Sequence, residues 1–324
     1  MAGHFEIFDS IHDDLARVEV KLREYPRLEY EVLTAATEHL LSSGGKRIRP
    51  ALVILSSRLY SAEINAQVIS LAAAVEMLHT ASLVHDDLID GALLRRGIPT
   101  LNAAWTPGAT ILTGDYLFAR AADLAAQSGN LRVMRIFADT LMTICTGELK
   151  QQFSDLETRA KREDYYARIY AKTASLISLA TEAAGVLARA TEEQVTALRE
   201  YGHNLGMAFQ VVDDVLDFVG DETHLGKPVG SDLRQGLITL PTLCYLERYP
   251  TDELMLRILR NGRGSDQDIR QAVIAIRESG AIETALEEAR SFARRSKAAL
   301  EQLPAGPPRR SMQNLTDFVV QRRT

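Results

Sequence analysis

Two acidic motifs far apart in the chain share one spacing. The first, LVHDDLID, holds Asp86, Asp87 and Asp90; the second, FQVVDDVLDF, holds Asp213, Asp214 and Asp217. On a helix, Asp86 and Asp90 project from one face a turn apart, as do Asp213 and Asp217. Like charges at that spacing repel, and aspartate is a mediocre helix former, so each motif costs stability unless a cation neutralises it. Apolar neighbours, Leu83 and Val84 in one case and Phe209, Val211 and Val212 in the other, predict that the acids project from buried helices. A charge cluster there does not persist without counterions. Mg2+ is the expected partner, with Mn2+ able to substitute, because it prefers oxygen ligands and is commonly shared with substrate phosphates. Such an ion neutralises a diphosphate and helps it leave. One isolated DDxxD is equally a solvated helix face or an N-cap cluster; two copies in apolar helices beside basic loops are a strong signal.

Short basic elements accompany the acids, most with glycine or proline nearby to bring backbone close to a ligand. SSGGKRIRP carries Lys46, Arg47 and Arg49, and LLRRGIPTLN carries Arg95 and Arg96 just after the first acidic helix. Lys172 and Thr173 lie on an alanine-rich helix, and Lys227, in LGKPVGSDLRQGLITLP, follows the second acidic helix. Arginine recognises phosphate oxygens bidentately and lysine supplies a mobile point charge, so two diphosphates could be held. Taken singly, Arg95 with Arg96 is an ordinary surface pair and Lys172 a solvent-facing lysine. His79 and His85 share the first acidic helix; His79 is the better diphosphate donor, and neither has zinc-site spacing.

Helices must position these groups. Leu15, Val18 and Leu22, then Val32, Leu33, Ala36 and Leu40, recur at three- and four-residue spacing, and no alternating strand is evident. Breaks fall at Ser43 to Gly45, Gly91 to Gly108, Gly220 to Pro241 and Asn261 to Ser265. About ten or more helices are expected from ordinary helix and loop lengths. Two amphipathic helices are expected around Gly280 and a short one in the tail that holds Arg309 and Arg310. No break is long and polar enough to be a linker, which predicts a single all-α domain over residues 1–324.

Composition agrees. Of 324 residues, 46% are hydrophobic and 25% charged, enough to bury a large core. The net charge of −6 gives no overall positive field to draw nucleic acid or anionic lipid. Cys145 and Cys244 lack metal-ligand spacing, and the N-terminal residues lack a signal-peptide pattern. The most apolar stretches are interrupted by Glu76 and Glu182. A cytoplasmic protein without stable membrane insertion is expected.

The motif order GGKRxRP, DDxxD followed by RRG, KT, FQxxDD and GKPxGxDL, from Gly44 to Pro241, resembles the trans-isoprenyl diphosphate synthases. The resemblance implies a large helical bundle of the isoprenoid synthase type with a central cavity. It implies Mg2+ held by Asp86, Asp90 and Asp213, with Asp87, Asp214 and Asp217 in direct or indirect support. By the same match, Arg95, Lys172, Thr173, Gln210 and Lys227 would grip an allylic diphosphate, and Lys46, Arg49, His79 and Arg96 isopentenyl diphosphate. The implied catalytic set is Asp86, Asp90, Lys172, Asp213 and Lys227. Ionisation of the allylic carbon–oxygen bond would leave a cation, which the isopentenyl double bond attacks before a proton is lost.

Product length depends on what lies toward the N-terminus of the first acidic helix. Ala81 and Ser82 stand one turn down, where short-chain members of the family commonly place a bulky aromatic, and Leu78 stands a further turn below. The small pair predicts an all-trans product of about C30 or longer, although Ala81 also suits plain helix packing. MLHTASLVHDDLID and LTGDYLFARA resemble the large catalytic component, component II, of hexaprenyl and heptaprenyl diphosphate synthases. A homodimer and a heteromer with a small regulatory subunit are therefore both expected states. The competing readings are a C20 geranylgeranyl diphosphate synthase, a non-catalytic partner subunit and a terpene cyclase; cyclases typically lack a second DDxxD and the GGKRxRP loop.

Overall fold

The computed structural model describes residues 8–24, 31–42, 45–95, 97–155, 160–220, 229–261 and 264–322. The all-α expectation holds: helices dominate, and the only strands among the described residues are a pair of two residues each. Contacts divide the chain into two compact units, each discontinuous in sequence.

The first unit comprises Met1–Asp139, Leu176–Arg199 and Glu301–Met312. Its centre is α4 (Ala66–Ile89), against which α1 (His12–Arg23), α3 (Ile48–Arg58) and α6 (Pro107–Ala126) pack. The stretch is apolar nearly all round, so every face needs a neighbour; alanines at 72 to 74 let those neighbours approach closely. Asn65 starts α4 by accepting from the Val68 amide at 3.0 Å, and the chain turns away at Gly91, whose φ is +63°. By length and composition alone α4 could cross a membrane, yet 78% of its most apolar window is buried within the protein. α1 lays Val18 and Leu22 inward, as its spacing predicts. α2 (Glu31–Ser42) stops at the first break.

After α4 the chain makes a hairpin too short to leave a periodic signature: β1 (Leu94–Arg95) pairs antiparallel with β2 (Ile98–Pro99), and Gly97 supplies a φ of +77° in the turn. A one-turn α5 (Leu101–Ala104) follows. Thr106 caps α6, and Pro107 takes its first position, where the missing N–H is harmless.

The second unit comprises Thr140–Ser175, Glu200–Leu300 and Gln313–Thr324. Its residues come from α7 (Leu131–Phe153), α8 (Arg162–Ile169), a π-helical turn (Tyr170–Ala174), α10 (Glu192–Val219) and α11 (Ser231–Arg234), with α9 (Ser175–Leu187) contributing Ser175. α12 (Leu240–Arg248), α13 (Glu253–Asn261), α14 (Asp266–Glu278), α15 (Ala281–Leu300) and the end of α16 (Pro307–Gln321) complete it. Tyr201, Leu205, Ala208, Val212 and Val215 form a buried stripe at helical spacing along α10. α14 begins with a capping box between Ser265 and Asp268, and α15 begins after Gly280, with φ +77°. These are the two amphipathic helices expected there.

Candidate active site

Each acidic motif divides into carboxylates turned outward and carboxylates used by the fold. In the first unit, Asp86 is half-buried and Asp90, capping the end of α4, is exposed. Asp87 is only 6% exposed and accepts from Arg95, Nε at 2.8 Å and Nη2 at 2.7 Å. Its carbonyl also receives the Ala92 amide at 2.8 Å. Asp87 therefore folds the hairpin back onto α4 and orients Arg95, whose side chain stays 39% exposed.

The same unit carries Lys46, exposed, and Arg49 and His79, both half-buried. Arg47, between Lys46 and Arg49, has another role. With φ +48° it reaches inward, donating from Nε to Glu19 at 2.5 Å, from Nη1 to Glu76 at 2.8 Å and from Nη2 to the Leu41 carbonyl at 3.1 Å. Burial alone would lower its pKa, but Glu76 and Glu19 outweigh that and raise it. The strained backbone is repaid by a forked anchor that ties the basic loop to α1, α2 and α4.

His85 is a packing residue. Its Nε2 lies 3.1 Å from the Ile111 carbonyl, its ring tilts against Phe118, and a Cβ at Gly114 would fall 2.1 Å from Nε2. Gly114 is thus the space that lets α6 close over the imidazole. Leu78 and Ala81 are completely buried, whereas Ser82 is half-buried with its hydroxyl donating to the His79 carbonyl at 2.8 Å.

In the second unit Asp213 is the outward carboxylate, 54% exposed. Asp214, 4% exposed, accepts from Tyr165 Oη and Gln210 Nε2, each at 2.8 Å. Burial pushes its pKa well above the carboxylate range, with Asp232 and Asp213 adding to the rise and the two donors opposing it. Asp217, 1% exposed, accepts from the Ser231 hydroxyl at 2.8 Å and the Asp232 amide at 3.1 Å, while its carbonyl receives the Gly230 amide. It pins the start of α11 to α10.

Lys172 and Thr173 sit together on the π turn. Lys172 Nζ is 3.1 Å from Glu148, and Thr173 donates to Gln210 Oε1 at 2.6 Å. Thr173, Gln210, Asp214 and Tyr165 therefore form one continuous hydrogen-bonded chain. From the end of α16, Arg322 stacks 4.0 Å over the Phe209 ring, donates to the Phe209 carbonyl at 2.8 Å and lies 3.3 Å from Asp213. Arg96 and Lys227 lie outside the described residues.

The donor chemistry suits a hard divalent cation. The outward groups are carboxylate oxygens, and no three or more His, Cys, Asp or Glu side chains gather into a metal-sized cluster among the described residues. Carboxylate oxygens of this kind fit a hard divalent cation that completes its shell with water and phosphate oxygens.

The polyprenyl synthetase family model matches residues 30–276. The chain belongs to that family. It is 38% identical over 317 residues to the heptaprenyl diphosphate synthase component 2 of Geobacillus stearothermophilus, covering 98% of both chains. The decaprenyl diphosphate synthase structure from Rhodobacter capsulatus superposes with a TM-score of 0.92 at 36% identity, over 99% of both chains. A polyprenyl synthase from Caulobacter crescentus, solved with calcium and isoprenyl diphosphate, gives the same score and identity over 100% of this chain and 98% of that one. The family resemblance drawn from the motifs is thus borne out.

Three features of this polyprenyl synthetase were not picked out from its motifs: the anchoring role of Arg47, the Tyr165–Asp214 bond and the Arg322–Asp213 pair. Only the first left a trace. Glu76 interrupts an otherwise apolar helix, and a buried carboxylate demands a buried base.

Proposed function

We infer that this polyprenyl synthetase is a trans-prenyltransferase that condenses isopentenyl diphosphate with an allylic diphosphate, releasing diphosphate and building an all-trans chain of about C30 or longer. The observation that carries it is the pair of acidic motifs, the first offering outward Asp86 and Asp90 beside buried Asp87 and the second outward Asp213 beside buried Asp214 and Asp217. Asp86, Asp90 and Asp213 are assigned to metal binding. Asp87, Asp214 and Asp217 support them by orienting Arg95, linking Gln210 to Tyr165 and holding α11.

Mg2+, when bound, would neutralise diphosphate charge and make it a better leaving group. Lys172, Thr173 and Gln210, with Arg95 and Lys227, hold the allylic diphosphate and stabilise the negative charge that develops as it departs. Lys46, Arg49, His79 and Arg96 hold isopentenyl diphosphate. Small or apolar side chains at Ser82, Ala81 and Leu78 support the long product, as do the names of the relatives. The name component 2 of the Geobacillus protein supports a heteromer with a small subunit as the alternative to a homodimer. We assign the enzyme to the cytoplasm.

The test is incubation of the purified chain with Mg2+, farnesyl diphosphate and labelled isopentenyl diphosphate, with and without chelator, followed by sizing of the dephosphorylated products. Long prenols that vanish with chelator are expected. A C20 product alone would sink the long-chain assignment. Activity only after adding a small subunit would establish the heteromer, and inactivity even then would favour a non-catalytic role.

A further inference from the structure

Tyr170–Ala174 of the second unit is a π turn, and it carries Lys172 and Thr173. Such turns are rare and persist where the surroundings over-determine them. Here a glycine presses on each side. From α7, a Cβ on Gly147 would lie 2.4 Å from Ala171 Cβ; from α10, a Cβ on Gly206 would lie 2.5 Å from Ala174 Cα. Neither separation is sterically possible, so the backbones of both helices meet the turn directly at Ala171 and Ala174, the residues that bracket Lys172 and Thr173. Each glycine is followed on its own helix by the residue that engages the bracketed pair. Glu148, beside Gly147, takes Lys172 at 3.1 Å, and Gln210, one turn beyond Gly206, takes Thr173 at 2.6 Å.

We propose that Gly147 and Gly206 are positioning residues for the prenyl transfer: their contacts with Ala171 and Ala174 clamp the π turn and set where the Lys172 ammonium and Thr173 hydroxyl meet the allylic diphosphate. The proposal rests on the assignment of those two residues to that diphosphate. A misplacement of about 1 Å at such a contact is enough to cost a large factor in rate. The Gly147 contact offers a direct suppressor. With Ala171 reduced to glycine, the nearest Ala171 atom to a Cβ at 147 is its Cα at 3.7 Å, an ordinary contact.

The experiment is steady-state kinetics on the full chain with farnesyl and isopentenyl diphosphates, comparing wild type, Gly147→Ala and the double variant Gly147→Ala/Ala171→Gly. Gly147→Ala is expected to raise KM for farnesyl diphosphate about ten-fold or more while KM for isopentenyl diphosphate stays within about two-fold; the double variant returns the former to within about three-fold of wild type. A general loss of folded protein would lower the rate without separating the two KM values. An unchanged KM for farnesyl diphosphate, an equal rise in both constants, or no recovery in the double variant overturns the clamp. If Gly147→Ala does not fold, the double variant decides: folding with a wild-type KM supports the clamp, and folding with a raised KM, or not folding, overturns it. Failure of the underlying assignment shows separately, as Lys172→Ala and Thr173→Ala variants whose KM for farnesyl diphosphate equals that of the wild type, and it removes the proposal with it.

Discussion

Tyr165 Oη donates to Asp214 Oδ2 at 2.8 Å, and both residues are buried, the tyrosine completely. The bond closes the chain from Thr173 through Gln210, so the second acidic motif is braced from α8 as well as along its own helix. Tyr165→Phe keeps the ring and removes only the donor, leaving a buried carboxyl oxygen without that partner. The expected loss is about 1–3 kcal/mol of stability, read as a lower denaturant midpoint at unchanged slope, together with a reduced turnover rate. A midpoint equal to wild type would mean that solvent replaces the hydroxyl at Asp214.

Several helix boundaries were legible in the sequence because local signals set them, whereas α5 and α11 lie inside stretches read as breaks. Residue spacing marked α1, Gly91 ended the first acidic helix, and the Ser265 region opened α14. The division of labour among the aspartates was only partly legible. Spacing places Asp86 with Asp90, but nothing local separates exposed Asp213 from buried Asp217 on one helical face. That split is made by Ser231 and Asp232, 14 and 15 residues further along the chain. The contact of Arg322 with Asp213 spans 109 residues and has no local correlate. The π turn was likewise hidden, since the residues that meet it closely, Gly147 and Gly206, come from other helices.

Arg47 yields a prediction that distinguishes anchoring from substrate binding. Arg47→Ala strips the buried Glu76 of its base, and breaking a buried pair from one side typically costs about 3–5 kcal/mol. Partial exposure of Glu19, at 28%, screens the other arm, so about 2–4 kcal/mol is expected from unfolding measurements. Arg47→Lys should recover little, because one ammonium cannot reproduce three bonds to separate acceptors. If Arg47→Ala retains stability but loses isopentenyl diphosphate affinity, the anchor assignment is wrong.

The aspartates should separate by the kind of damage their removal does. Asp86→Asn, Asp90→Asn and Asp213→Asn remove the outward carboxylates assigned to metal binding, and each is expected to lower turnover by about 100-fold or more and raise the Mg2+ concentration needed. Asp87→Asn and Asp217→Asn instead loosen internal bonds, and are expected to cost about 1–3 kcal/mol of stability with a smaller change in Mg2+ requirement. The Mg2+ dependence of initial rate, measured beside denaturant unfolding, sorts the two groups. An Asp217→Asn variant with wild-type stability and a greatly raised Mg2+ requirement would move Asp217 into the metal shell.

Product length should respond differently at two adjacent residues. Ser82 lies one turn before Asp86 on the same side of α4, whereas Ala81 is turned about 100° from it. Ala81 is completely buried in a helix enclosed by neighbours; Ser82 is half-buried. Ala81→Phe must therefore push packed atoms aside, at a cost of about 1–3 kcal/mol, and any shortening of its product comes with lower stability. Ser82→Phe extends into space that is less filled and shares the Asp86 face. It is expected to shorten the product by at least one five-carbon unit while unfolding near the wild-type midpoint. Sizing of the dephosphorylated prenols beside unfolding of both variants checks the pair. Unchanged products from Ser82→Phe would show that the growing chain does not pass along that face, leaving Ala81 or Leu78 as the floor.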